Sequence, residues 1–359
     1  SDNFKPSEHT DFYKEEVYKG SYTKTVSDYF SYDASVTLAF TKRLDKHQLN
    51  AVAVWNVKQS KTDRFETTAY NFPNSNMDHI GMGIQYGDGD QPTGDYEITR
   101  LMGVVANFNY GFDDRYLLDF SVRSDGSSMF GADKRWGTFG SVGVGWNIHN
   151  EAFMENTRDW LTNFKLRAGY GITGVIPNDP YLSILRYTFS GGNYYRDGKW
   201  SKGLKAVSNP NPDLKWEKAK EFNIGLDWSV LNDRLGGTVD YYIKNTSDML
   251  YDYQVPSPPN LHTSTMANVG KMRNSGIEIL VRGIPVRTKD FEWSSALTLQ
   301  HNTNKLVSLS NDLYQTENIQ WLRGVGDPVS QYTHKVEVGK SFGEIYSLKA
   351  VGVSEATGL

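Results

Sequence analysis

Apolar and polar side chains alternate with a period of two in segment after segment of this chain, and no other feature restricts its fold as strongly. Successive side chains of an extended strand point to opposite faces, so strict alternation builds a ribbon that is oily on one side and wet on the other. Between 115 and 125, Tyr116, Leu118, Phe120 and Val122 share one face while Asp119, Ser121, Arg123 and Asp125 share the other. Residues 221–228 divide in the same way, with Phe222, Ile224, Leu226 and Trp228 opposed to Glu221, Asn223, Gly225 and Asp227. At 234–244 Leu235, Val239, Tyr241 and Ile243 oppose Arg234, Thr238, Asp240 and Lys244, and near 291–300 Phe291, Trp293, Leu297 and Leu299 oppose Glu292, Ser294, Thr298 and Gln300. The pattern predicts further strands at 31–40, 47–58, 98–110, 138–148, 163–173 and 273–283, with another starting near 334. No helical periodicity runs between them, which disfavours a parallel α/β fold.

The connections between these strands alternate in length. They run short (41–46), long (59–97), short (111–114), long (126–137), medium (149–162), long (174–215), short (230–233), long (245–272), short (284–289) and long (303–333). In an antiparallel up-and-down barrel every second connection lies at the same end, so short periplasmic turns and long extracellular loops produce this rhythm. A soluble Greek-key sandwich, or a soluble β-rich glycan-binding or adhesin module, has no reason to keep it. The expected fold is therefore all-β, a transmembrane up-and-down barrel, with residues 1–359 forming part of one barrel domain. Aromatics gather beside the short turns (Tyr110, Phe112, Tyr116, Trp228, Phe291, Trp293), where a belt at the headgroup layer would place them. Between 149 and 162 the run Asn150-Glu151-Ala152-Phe153-Met154-Glu155 predicts a small helical element at the rim, with acidic residues at its start.

Composition is compatible with this reading. A hydrophobic content of 38% and a mean hydropathy of -0.55 would suit a water-soluble protein, and no run of about 18 apolar residues offers a spanning helix. A membrane barrel needs neither, because only alternate strand residues face lipid. Cys is 0, which removes disulfides and thiolate metal sites, and a net charge of -4 without a long like-charge run makes nucleic acid an unsuitable partner. The first residues, Ser1-Asp2-Asn3-Phe4, lack the basic and apolar regions of a secretion signal, so any signal is expected to have been removed or to lie upstream.

Several stretches carry a family resemblance. Arg115-Tyr116-Leu117-Leu118, Arg123-Ser124-Asp125-Gly126-Ser127-Ser128-Met129-Phe130-Gly131, Arg135-Trp136-Gly137-Thr138-Phe139 and Leu166-Arg167-Ala168-Gly169-Tyr170-Gly171 occur in order. They are followed by Asn209-Pro210-Asn211-Pro212-Asp213-Leu214-Lys215-Trp216-Glu217, Asp240-Tyr241-Tyr242-Ile243-Lys244-Asn245 and Asn268-Val269-Gly270-Lys271-Met272-Arg273-Asn274-Ser275-Gly276. The series resembles the SusC/RagA branch of the TonB-dependent outer-membrane transporters. That resemblance implies a barrel of roughly 22 strands around an N-terminal plug, of which this chain would supply about half the wall. It implies import of a bulky nutrient, an oligosaccharide or a peptide, beneath a SusD-like surface lipoprotein and driven through TonB acting on the plug, with no cofactor and no bond made or broken. It also allows a dimer of transporter-lipoprotein pairs. Half a barrel would leave two edges of unpaired backbone groups in lipid, so the remaining strands are expected in the parent protein.

Chemistry-bearing constellations are sparse. The 7 His form no His-Glu-x-x-His pair, no Gly-x-Ser-x-Gly elbow occurs, and Gly339-Lys340-Ser341 lacks the first glycine of a phosphate loop because position 334 is His. Asp88, Asp90 and Asp95 on a glycine-rich loop could offer hard oxygen ligands to Ca²⁺, although their spacing is not that of an EF-hand and a solvated acidic loop explains them as well. Asp119, Glu221, Asp227, Asp240 and Glu278, with Arg123, Arg167 and Arg282, are better explained as the lining of a hydrated lumen than as glycosidase acid-base pairs. Substrate contact is expected from the long 174–215 connection, where Tyr187, Phe189, Tyr194, Tyr195 and Trp200 stand among glycines and polar residues, Arg196 included. Their rings suit stacking on sugar faces or peptide groups, and equally suit packing within the loop or against a partner protein.

Overall fold

The computed structural model describes residues 1–6, 20–74, 76–86, 92–311, 319–325 and 331–346. In chain order the strands are β1 (Asp2–Lys5), β2 (Ser21–Leu44), β3 (His47–Tyr70), β4 (Thr93–Phe112), β5 (Tyr116–Ser127), β6 (Trp136–Asn147), β7 (Leu161–Val175), β8 (Tyr187–Arg196) and β9 (Lys199–Ala206). They continue as β10 (Glu217–Val230), β11 (Leu235–Gln254), β12 (Ser264–Arg287), β13 (Glu292–Ser308), β14 (Ile319–Val325), β15 (Gln331–Glu337) and β16 (Glu344–Ile345). An 11-stranded sheet has the order β1-β2-β3-β4-β5-β6-β7-β10-β11-β12-β13, so wall strands pair with their neighbours in sequence, as in an up-and-down barrel. β8 and β9 form a separate hairpin, and β14, β15 and β16 a third sheet. By compactness the chain divides into Ser1–Ser35 with Asn56–Met102, and Val36–Trp55 with Gly103–Leu359.

In the larger unit the register stacks like on like. Leu118, Val144, Ala168, Ile224, Tyr241 and Ile277 stand opposite one another across β5, β6, β7, β10, β11 and β12, and Phe120, Val142, Tyr170, Phe222 and Ile243 make a neighbouring row. On the other face Asp119, Gly143, Gly169, Asn223 and Tyr242 form one row, while Gly145, Arg167, Gly225, Asp240, Glu278 and Gln300 form another. Leu118, Phe120 and Ile224 are exposed and Leu226 and Val239 half-buried, so none of these five packs into a dry core. Apolar rows left open to the surroundings on a well-formed sheet are what a lipid-facing wall requires.

In the smaller unit, β2 and β3 run well past the alternating segments visible in the sequence. Their outer stretches are paired by polar groups: Thr23 with Thr68 at 2.9 Å, the Thr25 hydroxyl donating to Glu66 at 2.9 Å, and Arg64 paired with Glu66 at 3.1 Å. A strand that projects beyond the bilayer needs no oily face, so the alternation fades while the ladder continues. Tyr22, Ala69 and Phe72 close a small core there with Phe4 and Ile80.

The structure adds detail to three expectations. The 174–215 connection contains the β8–β9 hairpin. The small helical element expected within 149–162 takes the form of two short 3₁₀ turns, Ile148–Asn150 and Ala152–Thr157. The strand near 334 exists as β15 but joins β14 and β16, with Val336 buried against Leu306 and Leu309 at the end of β13.

Candidate functional site

At the short-turn end, neighbouring turns are tied to one another. Asp113 and Asp114 hold φ values of 53° and 51°, a left-handed pair that short acidic side chains tolerate, and they close the β4–β5 turn. The Asp113 carboxylate receives Lys46 Nζ at 3.2 Å from the preceding hairpin and Arg115 at 2.7 Å. Arg115 also reaches Glu151 at 3.1 Å, and the second Glu151 oxygen accepts the Tyr116 hydroxyl at 2.7 Å and the Trp146 indole N–H at 2.9 Å. Asn147 and Asn150 both donate to the Asp114 carbonyl, at 2.7 and 2.9 Å. The Tyr116 and Trp146 donors, then Arg115, hold the buried Glu151 carboxyl below the usual carboxylate range, and Lys46 does the same for Asp113. Glu151 thus locks the rim segment onto the β5–β6 hairpin, a role that its acidic character alone did not reveal.

Along the polar face Arg167 of β7 bridges two strands. Its guanidinium donates to Asp227 at 3.1 Å, to Asn223 at 3.4 Å and to Asp240 at 2.7 Å. Gly225, directly opposite Arg167 and Asp240 in register, makes this possible: a Cβ there would lie 2.5 Å from Asp240 Oδ1 and 2.6 Å from Arg167 Cζ. Asn109 donates to Asp119, and Ser121 to Asn107 at 2.6 Å, so this face is hydrogen-bonded from strand to strand. Such a surface suits a water-filled interior.

At the long-loop end the family-like segments converge on one another. Trp216 packs against Phe130 and Phe139 with ring centroids 5.1 and 5.3 Å away, and its indole N–H donates to the Arg135 carbonyl at 3.0 Å. Phe130 and Leu214 are fully buried. Asn209 accepts the backbone N–H groups of Leu261 and His262 at 3.0 and 3.1 Å, while its amide donates to the carbonyls of His262 and Ser264 at 2.7 and 2.9 Å. Asn211 donates to Met266, and Asn268 both accepts from Lys215 N and donates to the Lys215 carbonyl, at 2.9 and 2.8 Å. Buried asparagines therefore replace the strand ladder where the chain turns, which satisfies backbone groups that a loop would otherwise leave unpaired.

The β8–β9 hairpin rises from this anchor and carries the sequence-predicted substrate residues. Tyr187, Phe189, Tyr194 and Tyr195 are all exposed, by 60%, 58%, 50% and 62%. Through the backbone Tyr195 pairs with Trp200 and Arg196 with Lys199, which brings all six candidates onto one hairpin. Of the acidic trio, Asp95 is exposed at the start of β4, while Asp88 and Asp90 lie outside the described residues. Among the described residues no group of three His, Cys, Asp or Glu is placed to hold a metal ion.

Exposed oily rows in register, a hydrogen-bonded polar face, a tied short-turn rim and elaborate loops at the opposite end define the wall of an outer-membrane β-barrel. The family model described as "TonB dependent receptor-like, beta-barrel" matches residues 2–343, and the chain belongs to that family. Within it the chain is of the SusC/RagA type. It is 34% identical over 244 residues to the TonB-dependent receptor SusC of Bacteroides thetaiotaomicron, covering 66% of this chain and 24% of that protein. It is 29% identical over 309 residues to the TonB-dependent receptor P39 of Formosa agariphila, covering 86% of this chain and 28% of that protein. The structure of the RagAB peptide importer in its "closed-closed" state superposes with a TM-score of 0.80 at 27% identity, over 94% of this chain and 35% of that one. The chain thus spans about a quarter of the length of these curated relatives.

Proposed function

We propose that the receptor carrying this wall imports a bulky nutrient, an oligosaccharide or a peptide, across the outer membrane. In this reading TonB acts through a plug, a SusD-like surface lipoprotein covers the extracellular mouth, the working assembly is a dimer of receptor-lipoprotein pairs, and no bond of the nutrient is made or broken. The observation that carries the reading is the β8–β9 hairpin. Its four exposed tyrosine and phenylalanine rings stand on a loop system pinned by buried asparagines, at the end of the wall opposite the short turns. Flat rings held on a rigid base present stacking surface at little ordering cost, which suits sugar rings and peptide groups alike. The likeness to the RagAB peptide importer supports the peptide class, while the oligosaccharide class and the lipoprotein partner rest on what the resemblance to SusC/RagA-type transporters implies.

Titration calorimetry of the whole detergent-solubilised receptor against an oligosaccharide pool and a peptide pool tests the proposal. One pool is expected to bind, and Tyr194→Ala or Tyr195→Ala is expected to weaken that binding about tenfold, the scale of one aromatic stacking contact. Absence of binding to both pools, or unchanged affinity in both variants, would refute the assignment. Co-purification of a surface lipoprotein with the wild-type receptor tests the partner independently.

A further inference from the structure

The lipid-facing side of the wall is not uniformly filled. Near the short-turn end Leu38 and Phe40 of β2, Ala51 and Ala53 of β3, Ala106 and Phe108 of β4, and Phe120 of β5 line one groove. The alanines leave its floor low and the phenylalanines form its sides. Phe120 belongs to the exposed apolar row, so the groove opens toward the bilayer. Lys42 continues the Leu38-Phe40 face by alternation and stands between the groove and the Asp45-Lys46 turn; it is exposed and makes no ion pair among the described residues. A lysine on a lipid-facing strand is costly unless its ammonium reaches the headgroup layer.

We infer that this groove holds one acyl chain of an anionic glycerophospholipid of the periplasmic leaflet, with the phosphate beside Lys42. Three features select that occupant. The cation lies on the rim side of the groove and the apolar lining on the membrane side, which matches the polarity of a lipid entering from the short-turn face. From the turn to Leu38 the strand covers about 23 Å, which on a strand tilted by about 40° gives a depth of roughly 18 Å, close to half the hydrocarbon thickness. The periplasmic leaflet, where short turns emerge, also supplies phosphate headgroups at the height of Lys42. The inference rests on the membrane placement of the wall and is independent of what the receptor imports.

Native mass spectrometry of the whole receptor, released from vesicles of phosphatidylglycerol and phosphatidylcholine in equal amounts, provides the test. Wild type is expected to retain a phospholipid with about a fivefold preference for phosphatidylglycerol, the scale of one lysine at an anionic surface. Lys42→Gln is expected to abolish the preference while lipid is still retained, and Ala53→Phe to lower retention of both lipids. Leu299→Phe, on β13 of the same face, serves as a control that leaves both readings unchanged. Heat-modifiable gel mobility confirms that each variant is folded; if Ala53→Phe does not fold, Lys42→Gln decides alone. Equal preference in wild type and Lys42→Gln would overturn the assignment. So would Ala53→Phe changing the number of barrels per particle, which would give the groove to a second copy.

Discussion

At the scale of single residues, the wall depends on a few positions where one side chain exists because another is missing. Gly225 has no Cβ, and the space it leaves is occupied by the Arg167 guanidinium and the Asp240 carboxylate. Gly225→Val should push Arg167 off both aspartates and leave two carboxylates unpaired on a half-buried face. The expected loss is about 1–3 kcal/mol, seen as a lower urea midpoint in tryptophan fluorescence; wild-type stability would contradict the arrangement. Glu151 poses a question of pH. Its carboxyl is held low by Tyr116, Trp146 and Arg115, so the folded state binds its proton more weakly than the unfolded chain does. The resulting stability is fully present above the unfolded value of about 4.3 and disappears as pH falls through the lowered folded value. Asp113 adds to the same window through Lys46. Glu151→Gln should therefore flatten the acid side of the stability profile below about pH 4.3 while removing stability at neutral pH. A profile whose acid limb is as steep as wild type would exclude Glu151 as a contributor.

At the scale of elements, the long loops behave as a clamped unit. Asn209 alone satisfies two N–H groups and two carbonyls of the 261–264 segment, so Asn209→Ala strips that bend of its partners. The expected effect is a local destabilisation of about 2–3 kcal/mol, visible as faster amide exchange at residues 261–264 with little change at β5–β7. Unaltered exchange would mean that the loop is held by other contacts. Legibility in the sequence follows the same division. Strands within the membrane band were readable because lipid on one side and water on the other impose a period of two, as at Tyr116 to Asp125 and Phe222 to Asp227. The outer halves of β2 and β3 were not, since Thr23, Thr25, Glu66 and Thr68 pair as polar groups and leave no alternating trace, while those of β11 and β12 close a small buried cluster of Tyr253, Ala267 and Val269. The hairpin around Tyr187 to Trp200 was visible as a cluster of rings but not as strands, because its glycines and mixed polarity mask any period. The joining of segments such as Asp125–Gly131 and Asn209–Glu217 was not legible either, for their contacts link residues far apart in the chain, Trp216 to Arg135 among them.

At the scale of the whole molecule, the sheet divides two solvents. A charge introduced on the outer rows should be far more damaging than one on the inner rows: Leu226→Arg is expected to cost about 2–4 kcal/mol, whereas Thr238→Lys, on the polar face, should fold at near wild-type yield. Refolding yield into vesicles, read by heat-modifiable mobility, compares the two. No cysteine occurs in these 359 residues, 0 in the sequence, so single labels can be introduced within the wall once any cysteine elsewhere in the receptor has been replaced. Asn223→Cys, Ile224→Cys, Leu226→Cys and Asp227→Cys, spin-labelled one at a time in the full receptor in vesicles, report which solvent each position meets. Relaxation by oxygen, which concentrates in lipid, should peak at 224 and 226, and relaxation by a water-soluble nickel chelate at 223 and 227. Labels at 224 and 226 shielded from both reagents would place those side chains in a dry core and contradict the outer-membrane wall.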